Sequence, residues 1–412
     1  MMPETEQDNQ TEYWHGLAAL RALAMLLGVV LHAAIPYMAA PLSGMDNWIC
    51  YQTATPLCDL IVWWIHVWRI PLFFFLAGFF ALQTLQRHGA SGFARRRLRR
   101  LCIPYIVAVY TVGPLIYIVF NLGWYLTGLC SWEQIWPHVP LPERLATNFF
   151  GPSHLWFLQE LIILSFTFLF LHVALAVEGS KSSLGPSGGK NPLPWWLPLG
   201  PGVLSGVMLW SDLSPLTEWH NTFLCVPTRL LYNSVFFIGG VVAYQHRTAF
   251  FEVTSFYRRH LFLALPLAGV YLWIRLSGYF DITTKTGSFA LSISAGVLCW
   301  LMVYGMIGAF NNWFCHSNRV VSYLSDASYW VYIIHLPIVA ALQIAVFDLN
   351  IHSLWKFTLV SLVTATACLV SYQWLIRYTR IGSFLHGPRT RQLQHRQAKL
   401  VPSQPAVINS QR

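Results

Sequence analysis

Long apolar runs, separated by short polar segments, form the main pattern along this chain. A helix needs about 20 predominantly apolar residues to cross a lipid bilayer, and the runs are of that length. They lack the strict alternation of apolar and polar positions that is typical of membrane β-strands. The pattern therefore predicts an all-α, polytopic helical bundle in a membrane. The ten predicted transmembrane helices lie near residues 17–39, 57–85, 101–126, 154–177, 194–210, 225–245, 260–277, 288–310, 326–347 and 354–377.

The composition of the chain supports the same fold class. Of the 412 residues, 55% are apolar and 10% are charged, whereas roughly a quarter of the residues of a soluble domain are charged. Lipid must therefore cover much of the surface, and helices satisfy their own backbone hydrogen bonds there. Pro71 and Pro337 lie inside two of the predicted helices, where we expect a kink or a break.

The distribution of positive charge predicts the orientation. The net charge is +10, but the basic residues lie mainly in loops and in the tail, so we expect no nucleic-acid partner. If the N-terminus is cytoplasmic, the cytoplasmic segments hold most Lys and Arg residues, as is usual in membrane proteins. The N- and C-termini are therefore predicted to be cytoplasmic. The outer segments then hold only Arg144, Arg229, Lys285 and Lys356.

Composition also divides the chain into regions. We predict a cytoplasmic N-terminal segment at 1–16, a membrane domain at 17–378 and a basic cytoplasmic tail at 379–412, with a flexible Gly/Ser/Pro-rich linker at 178–193. The N-terminal segment lacks the basic stretch of a secretory signal, so the first apolar run is predicted to be a permanent helix. The cysteines have no metal-binding spacing, and we expect no metal site. A disulfide is left open among the cysteines near the predicted outer face, which are Cys50, Cys58, Cys130 and Cys225.

The first predicted helix contains two ionisable residues, Arg21 and His32. A charged side chain in the centre of a membrane helix costs about 2.5–3.5 kcal/mol on insertion scales, which makes such residues candidates for function. Eleven residues of helix bring the two side chains to nearly the same face, about 16 Å apart along the axis. The alternative is a structural one, in which Arg21 reaches the lipid headgroups and a backbone carbonyl binds the His32 ring.

His66 and Arg69 form a second group in the second predicted helix, just before Pro71. A spacing of three residues places them on one helix face. They could face His32 across a hydrated cavity, or they could be a structural pair that closes a kink at the proline.

A basic run, FARRRLRRLCIP, precedes the third predicted helix. On a helix, Arg96 and Arg99 lie on one face, as do Arg97 and Arg100. Stacked guanidinium groups suit bidentate binding of phosphate. The alternative is a determinant of topology that contacts anionic lipid.

The remaining candidates are His154, Trp156, Glu160 and His335. Both histidines lie near the ends of predicted helices, and His335 is two residues before Pro337. A buried carboxylate at Glu160 needs a basic partner. Tryptophans such as Trp156 are typical of the belt at the membrane interface, but they also suit stacking on a sugar.

Four of these motifs, taken in order, resemble the membrane-bound acyltransferase-3 family. They are Arg21-x10-His32, Arg96-x-x-Arg99, His154-Leu-Trp-Phe-Leu and Tyr-Ile-Ile-His335-Leu-Pro. The resemblance runs from about residue 17 to 378 and is strongest to the glucan biosynthesis protein C branch of that family. It implies a multi-pass enzyme of the cell inner membrane that takes an acyl group from cytoplasmic acyl-CoA. The acceptor it implies is a carbohydrate hydroxyl outside, and the branch implies succinyl transfer to periplasmic glucan.

The residues and the resemblance together suggest a division of roles. Acyl-CoA (succinyl-CoA or acetyl-CoA) is expected to be a donor substrate, and no tightly bound cofactor is expected. Its phosphates would bind to the basic run, Arg21 would guide its long arm, and His32 would act as general base near neutral pH. An acyl-histidine at His32 is the other route. The remaining site residues would stabilise the oxyanion or contact the acyl group and the acceptor, and they are His66, Arg69, His154, Trp156, Glu160 and His335.

Other functions stay open at this point. One is acetyl transfer to another surface polysaccharide, and another is a carrier or flippase for an acylated sugar. A membrane scaffold without chemistry is the third. The long linker and Glu160 depart from the pattern of the family and leave the identity of the acceptor open. The acyl group and a homo-oligomeric state are also left open.

Overall fold

The computed structural model describes residues 14–40, 42–45, 47–48, 54–135, 140–146, 148–177, 193–316, 318–379 and 381–382. Nearly all of this part of the chain is helical. Its one β-bridge joins Ser43 to Glu218 in two connecting loops. The predicted all-α class is therefore confirmed. The predicted linker and most of the predicted N-terminal segment and tail lie outside the described residues.

The described residues form fourteen α-helices. In chain order they are α1 (His15–Ala34), α2 (Pro56–Arg97), α3 (Ile103–Leu126), α4 (Trp132–Ile135), α5 (Glu143–Ala146), α6 (Trp156–Val177), α7 (Leu199–Ser211), α8 (Ser214–Thr217), α9 (Pro227–Gln245), α10 (Arg247–Ser255), α11 (Tyr257–Leu276), α12 (Lys285–Trp313), α13 (Arg319–Ala345) and α14 (Ser353–Ser371). Short 3₁₀ turns lie at Ile35–Tyr37 and Ser153–Leu155, and π-turns at Leu98–Cys102 and Tyr372–Ile376.

A helix occupies each of the ten apolar runs that the sequence predicts. Within the described ranges, six helical stretches are long and apolar enough to cross a membrane. The longest, Pro56–Leu126, has 71 residues and contains both α2 and α3. These stretches show a membrane protein by length and composition. The number of crossings and the orientation stay predictions.

The helix breaks differ from those that the prolines predict. α2 and α13 both continue through their internal prolines, Pro71 and Pro337. The interruption of α2 falls instead at Gly89, which has φ 65° and ψ 179°. Residues with a Cβ atom rarely adopt positive φ, so glycine is the residue that allows the chain to turn here. The basic run is therefore separated from the membrane part of α2.

Helix α1 lies at the centre of the bundle, against α2, α12, α13 and α14. Small residues allow close approach elsewhere, as is common between membrane helices. A Cβ atom at Gly78 of α2 would collide with the Phe237 carbonyl of α9, and one at Gly240 would collide with the Phe75 carbonyl. His32 on α1 is therefore buried among other helices, whereas Arg21 near the N-terminal end of α1 is exposed.

All cysteines in the described part of the chain are free thiols, including Cys58, Cys130 and Cys225. No disulfide joins any two of these three. Cys50, the other cysteine predicted near the outer face, lies outside the described residues.

Candidate active site

A cavity of about 90 Å³ lies between α1, α2, α6, α9, α13 and the loop that contains α8. Mostly apolar walls with a few convergent polar groups are typical of ligand sites. Six predicted site residues line it, namely His32, His66, Arg69, His154, Trp156 and His335. Other polar lining residues are Glu218, Trp219, Arg229, Tyr232, Asn233 and Tyr332.

His32 is buried on α1, with 8% of its surface exposed. Its ring stacks on Trp48 at a centroid distance of 5.9 Å and lies 5.2 Å from the His335 ring. Its Nδ1 atom is buried and has no hydrogen-bond partner among the described residues. The bond near this residue goes to its backbone, since the His32 carbonyl accepts from Gln343 Nε2 at 3.0 Å. In the structural alternative, a backbone carbonyl binds the His32 ring. No described backbone carbonyl binds Nδ1.

Backbone carbonyls determine the tautomers of the two other buried histidines that line the cavity, His154 and His335. His335 Nδ1 lies 2.8 Å and 3.0 Å from the carbonyl oxygens of Tyr332 and Val331. His154 Nε2 lies 3.1 Å from the carbonyl oxygen of Ile333. Carbonyl oxygens only accept, so these nitrogens carry the protons and the opposite nitrogens carry lone pairs. Those opposite atoms, His335 Nε2 and His154 Nδ1, are buried without partners in the described part of the chain.

Pro337 explains why the Ile333 carbonyl is available to His154. An α-helix pairs each carbonyl with the N–H four residues later, and proline has no N–H. The Ile333 carbonyl therefore lacks its helical partner, and the His154 ring supplies a donor. The two rings, His154 and His335, lie 5.0 Å apart between centroids. Both histidines are thus oriented by the same segment of α13.

Arg69 places a positive charge beside α1. A Cβ atom at Gly28, one helical turn before His32, would collide with Arg69 Nη1. The close approach of this guanidinium group to α1 therefore requires glycine at position 28. Arg69 Nε is buried and unpartnered among the described residues.

His66 lies on the same wall but is bound elsewhere. Its Nε2 atom donates to the Leu216 carbonyl at 3.1 Å, which ties α2 to the loop containing α8. Its ring meets the Trp63 ring edge to face at 5.9 Å. His66 and Arg69 thus both line the cavity, while the described hydrogen bond of His66 goes to Leu216.

A model of the acyltransferase domain matches residues 14–373. The chain belongs to the acyltransferase-3 family. The resemblance and the prediction of an acyltransferase are therefore confirmed.

Curated relatives of this acyltransferase include the Glucans biosynthesis protein C of Escherichia coli O157:H7, which is 25% identical over 338 residues, covering 80% of this chain and 82% of the relative. The protein of that name from Shigella dysenteriae serotype 1 is 25% identical over 337 residues, with the same coverage. No solved structure matches the chain.

Glu160 of the acyltransferase has the basic partner that the sequence requires. Its carboxylate is 1% exposed and accepts from Arg229 Nε at 2.7 Å and from Asn233 Nδ2 at 2.8 Å. The Arg229 guanidinium lies 4.1 Å from the centroid of the Trp156 ring. Arg229 and Asn233 line the cavity, whereas Glu160 lies behind them. We therefore interpret Glu160 as a residue that holds Arg229 in position, in place of the predicted contact with substrate.

Sequence reasoning missed Arg229 and Asn233 as site residues. The signal was present, because Arg229 lies inside the predicted helix 225–245, where a charge is as costly as at Glu160. Opposite charges in two predicted helices are a reason to expect a contact between those helices.

The remaining predicted residues lie away from the cavity, toward the N-terminal end of α1. Arg21 Nη2 donates to Ser325 Oγ of α13 at 2.8 Å. Arg100 interacts electrostatically with both Arg21 and Arg96. Arg97 instead lies over the Phe93 ring, 5.0 Å from its centroid. Arg99 is exposed on the same π-turn as Arg100.

A π-turn covers Leu98–Cys102, within the basic run. In a π-turn each N–H bonds to the carbonyl five residues back. Arg96 and Arg100 interact electrostatically across this turn, at a four-residue spacing that also brings side chains together on an α-helix. The predicted pairs Arg96–Arg99 and Arg97–Arg100 stay predictions.

Proposed function

We propose that this acyltransferase moves an acyl group from an acyl-CoA-type donor on the cytoplasmic side to a hydroxyl group of a carbohydrate outside. The observation that carries the proposal is a set of four buried polar atoms around one cavity that have no hydrogen-bond partner among the described residues. A buried polar group without a partner costs about 1–3 kcal/mol, so four of them together favour a substrate as the partner. They are His32 Nδ1, Arg69 Nε, His154 Nδ1 and His335 Nε2.

The position of the arginines that lie away from the cavity supports a long donor. Arg21, Arg96 and Arg100 lie near the N-terminal end of α1, and His32 lies about 16 Å farther along the same helix. Phosphates would bind to the arginines, with Arg99 and Arg97 beside them, and the thin pantetheine arm would reach the cavity. In this proposal the enzyme lies in the inner membrane, with both termini in the cytoplasm.

The chemistry follows from the groups around the cavity. The acceptor hydroxyl oxygen attacks the thioester carbonyl carbon while His32 takes the hydroxyl proton. The positive charge of Arg69 stabilises the oxyanion that forms. The carbon–sulfur bond then breaks, and the departing thiolate recovers a proton from His32. The lone pairs of His154 Nδ1 and His335 Nε2 can accept hydrogen bonds from other hydroxyl groups of the acceptor.

The acyl group and the acceptor are proposed from similarity and charge. The printed name of the relatives concerns glucans, which supports a glucan as acceptor. Succinyl is the acyl group that the family branch implies, and cationic Arg69 suits its free carboxylate. Acetyl transfer to another surface polysaccharide is the alternative.

A substitution of His32 tests the mechanism. The purified enzyme is incubated with donor labelled in the acyl group, with and without a gluco-oligosaccharide acceptor. We expect His32→Ala to lose transfer by about 100-fold or more, the contribution of a general base. Exposed His316, changed to alanine, is the control and should keep the native rate. Full activity of correctly inserted His32→Ala would refute the proposed mechanism.

The same experiment separates the two routes and the carrier function. Label that stays on native protein without acceptor supports an acyl-histidine, and no label supports direct transfer. In proteoliposomes, sugar flux without thioester cleavage would favour a carrier. Mass spectrometry of carbohydrates from cells with and without the gene identifies the acyl group and the acceptor.

A further inference from the structure

The loop between α8 and α9 brings two residues to the cavity that the mechanism above does not use, Glu218 and Trp219. Both line the same cavity as His32. The Glu218 side chain is 46% exposed, and its carboxylate lies 3.3 Å from His220 Nε2. Trp219 is partly buried. The two residues therefore connect the buried histidines with the solvent side of the cavity.

The backbone of Trp219 is held from two other segments of the chain. Its N–H donates to the Ser43 carbonyl at 2.7 Å, and its carbonyl accepts from Asn148 Nδ2 at 3.1 Å. Gly44 packs against the same peptide, because a Cβ atom there would come within 2.5 Å of the Trp219 carbonyl oxygen. Gly44 also has φ +83°, which favours glycine. The indole is thus attached to a backbone with few alternative positions.

Trp219 differs from the tryptophans that serve as core residues. The indole N–H groups of Trp48, Trp63 and Trp124 donate to protein acceptors and these rings are buried. Trp219 lines a cavity and remains partly accessible. A tryptophan of the interfacial belt would contact lipid headgroups, whereas Trp219 is among the residues that line the cavity of the histidines. Its position is that of a ligand contact.

The other cavity tryptophan is less suited to this role. The Trp156 ring has the Arg229 guanidinium 4.1 Å from its centroid, so one of its faces is already covered. Arg229 is in turn held by Glu160. This arrangement leaves Trp219 as the aromatic surface of the cavity that lies beside a carboxylate.

We propose that Trp219 and Glu218 form the binding subsite for one pyranose ring of the acceptor. An aromatic ring offers an apolar face for the C–H face of a sugar, and an ionised carboxylate accepts hydrogen bonds from sugar hydroxyl groups. The negative charge of Glu218 repels the phosphates of the donor, so the subsite selects a neutral, polyhydroxylated ligand. The inference rests on the proposed function and specifies its acceptor side.

The test is steady-state kinetics of the full-length enzyme in lipid nanodiscs, with labelled acyl-CoA and linear gluco-oligosaccharides. We expect Trp219→Ala to raise the KM for oligosaccharide about tenfold, which corresponds to the loss of one good contact. The KM for acyl-CoA and the rate of thioester hydrolysis without acceptor should stay at native values. Trp219→Phe keeps an aromatic face and should recover most of the affinity.

Two further variants control for misfolding and for a general effect of removing a tryptophan. Gly44→Ala leaves the indole intact but displaces its peptide, and it should raise the same KM. Trp132→Ala removes an exposed tryptophan of α4 that is not among the cavity residues, and it should change neither KM.

The outcomes distinguish the subsite from the proposed function. Native KM for oligosaccharide in Trp219→Ala and Gly44→Ala, while His32→Ala is inactive, would overturn the subsite and leave the transferase mechanism in place. Failure of the native enzyme to acylate any oligosaccharide, with thioester cleavage intact, would overturn the carbohydrate acceptor and the subsite with it. A rise in both KM values would assign Trp219 a structural role.

Discussion

At the scale of single residues, the site depends on which nitrogen of each imidazole carries a proton. Carbonyl oxygens hold the N–H of His66, His154 and His335 in place. For His32, no described acceptor binds Nδ1. A general base must gain and lose a proton, and a ring without a fixed acceptor can do so without breaking a bond to the backbone. His32, the proposed base, and the neighbouring histidines therefore have different hydrogen-bond surroundings.

Gly28→Ala tests the position of Arg69 without removing its charge. The added methyl group would displace the flexible end of Arg69, while alanine favours a helix over glycine by about 1 kcal/mol. We expect stability to be kept and acyl transfer to fall about 100-fold, the cost of removing an oxyanion donor. Thermal unfolding in detergent and transfer assays measure the two quantities.

Gly113→Ala is the matched control, because a Cβ atom there meets nothing within 4 Å on α3. It should transfer at the native rate. A native rate in Gly28→Ala as well would exclude the oxyanion role of Arg69.

At the scale of elements, a proline in α13 couples two histidines. The sequence predicts a kink or break at Pro337, yet the helix continues and the freed carbonyl of Ile333 binds His154. A hydropathy pattern describes one helix at a time, so it cannot show that the 3₁₀ turn before α6 supplies the missing donor.

Pro337→Ala restores an N–H that competes for the Ile333 carbonyl. We expect equal or higher thermal stability, because proline disfavours the helix interior. Transfer should be about 10-fold to 100-fold slower, with an altered pH profile, since His154 loses its orientation. Pro266→Ala in the interior of α11 is the control and should leave rate and pH profile unchanged. If Pro337→Ala matched that control in both rate and pH profile, the coupling would be wrong.

At the scale of the whole molecule, α1 connects the two ends of the site. It is surrounded by α2, α12, α13 and α14. His32 is buried among them, and Arg21, which is exposed, donates to Ser325 of α13. The prediction that matters for function is the orientation, because it decides which end would meet the proposed acyl-CoA donor in the cytoplasm.

Thiol labelling tests this orientation. Cys315 is exposed between α12 and α13, in a segment that the charge pattern predicts to be cytoplasmic. We expect a membrane-impermeant maleimide to label it only after the membrane is permeabilised. Thr283→Cys, in a Cys315→Ser background, lies in an exposed predicted outer loop and should react in intact spheroplasts. The reverse result would invert the predicted topology and place the acyl-CoA site on the other side.

The sequence by itself determined the helical class, the places of the apolar helices and all four histidines that line the cavity. Hydropathy and the cost of buried charge act locally, so a single stretch such as residues 17–39 carries that information. Only the tertiary structure decided that Glu160 is paired with Arg229, that Arg69 needs Gly28 and that Trp219 borders the cavity. These contacts join residues far apart in the chain, and their formation depends on how the helices pack, which no local pattern encodes.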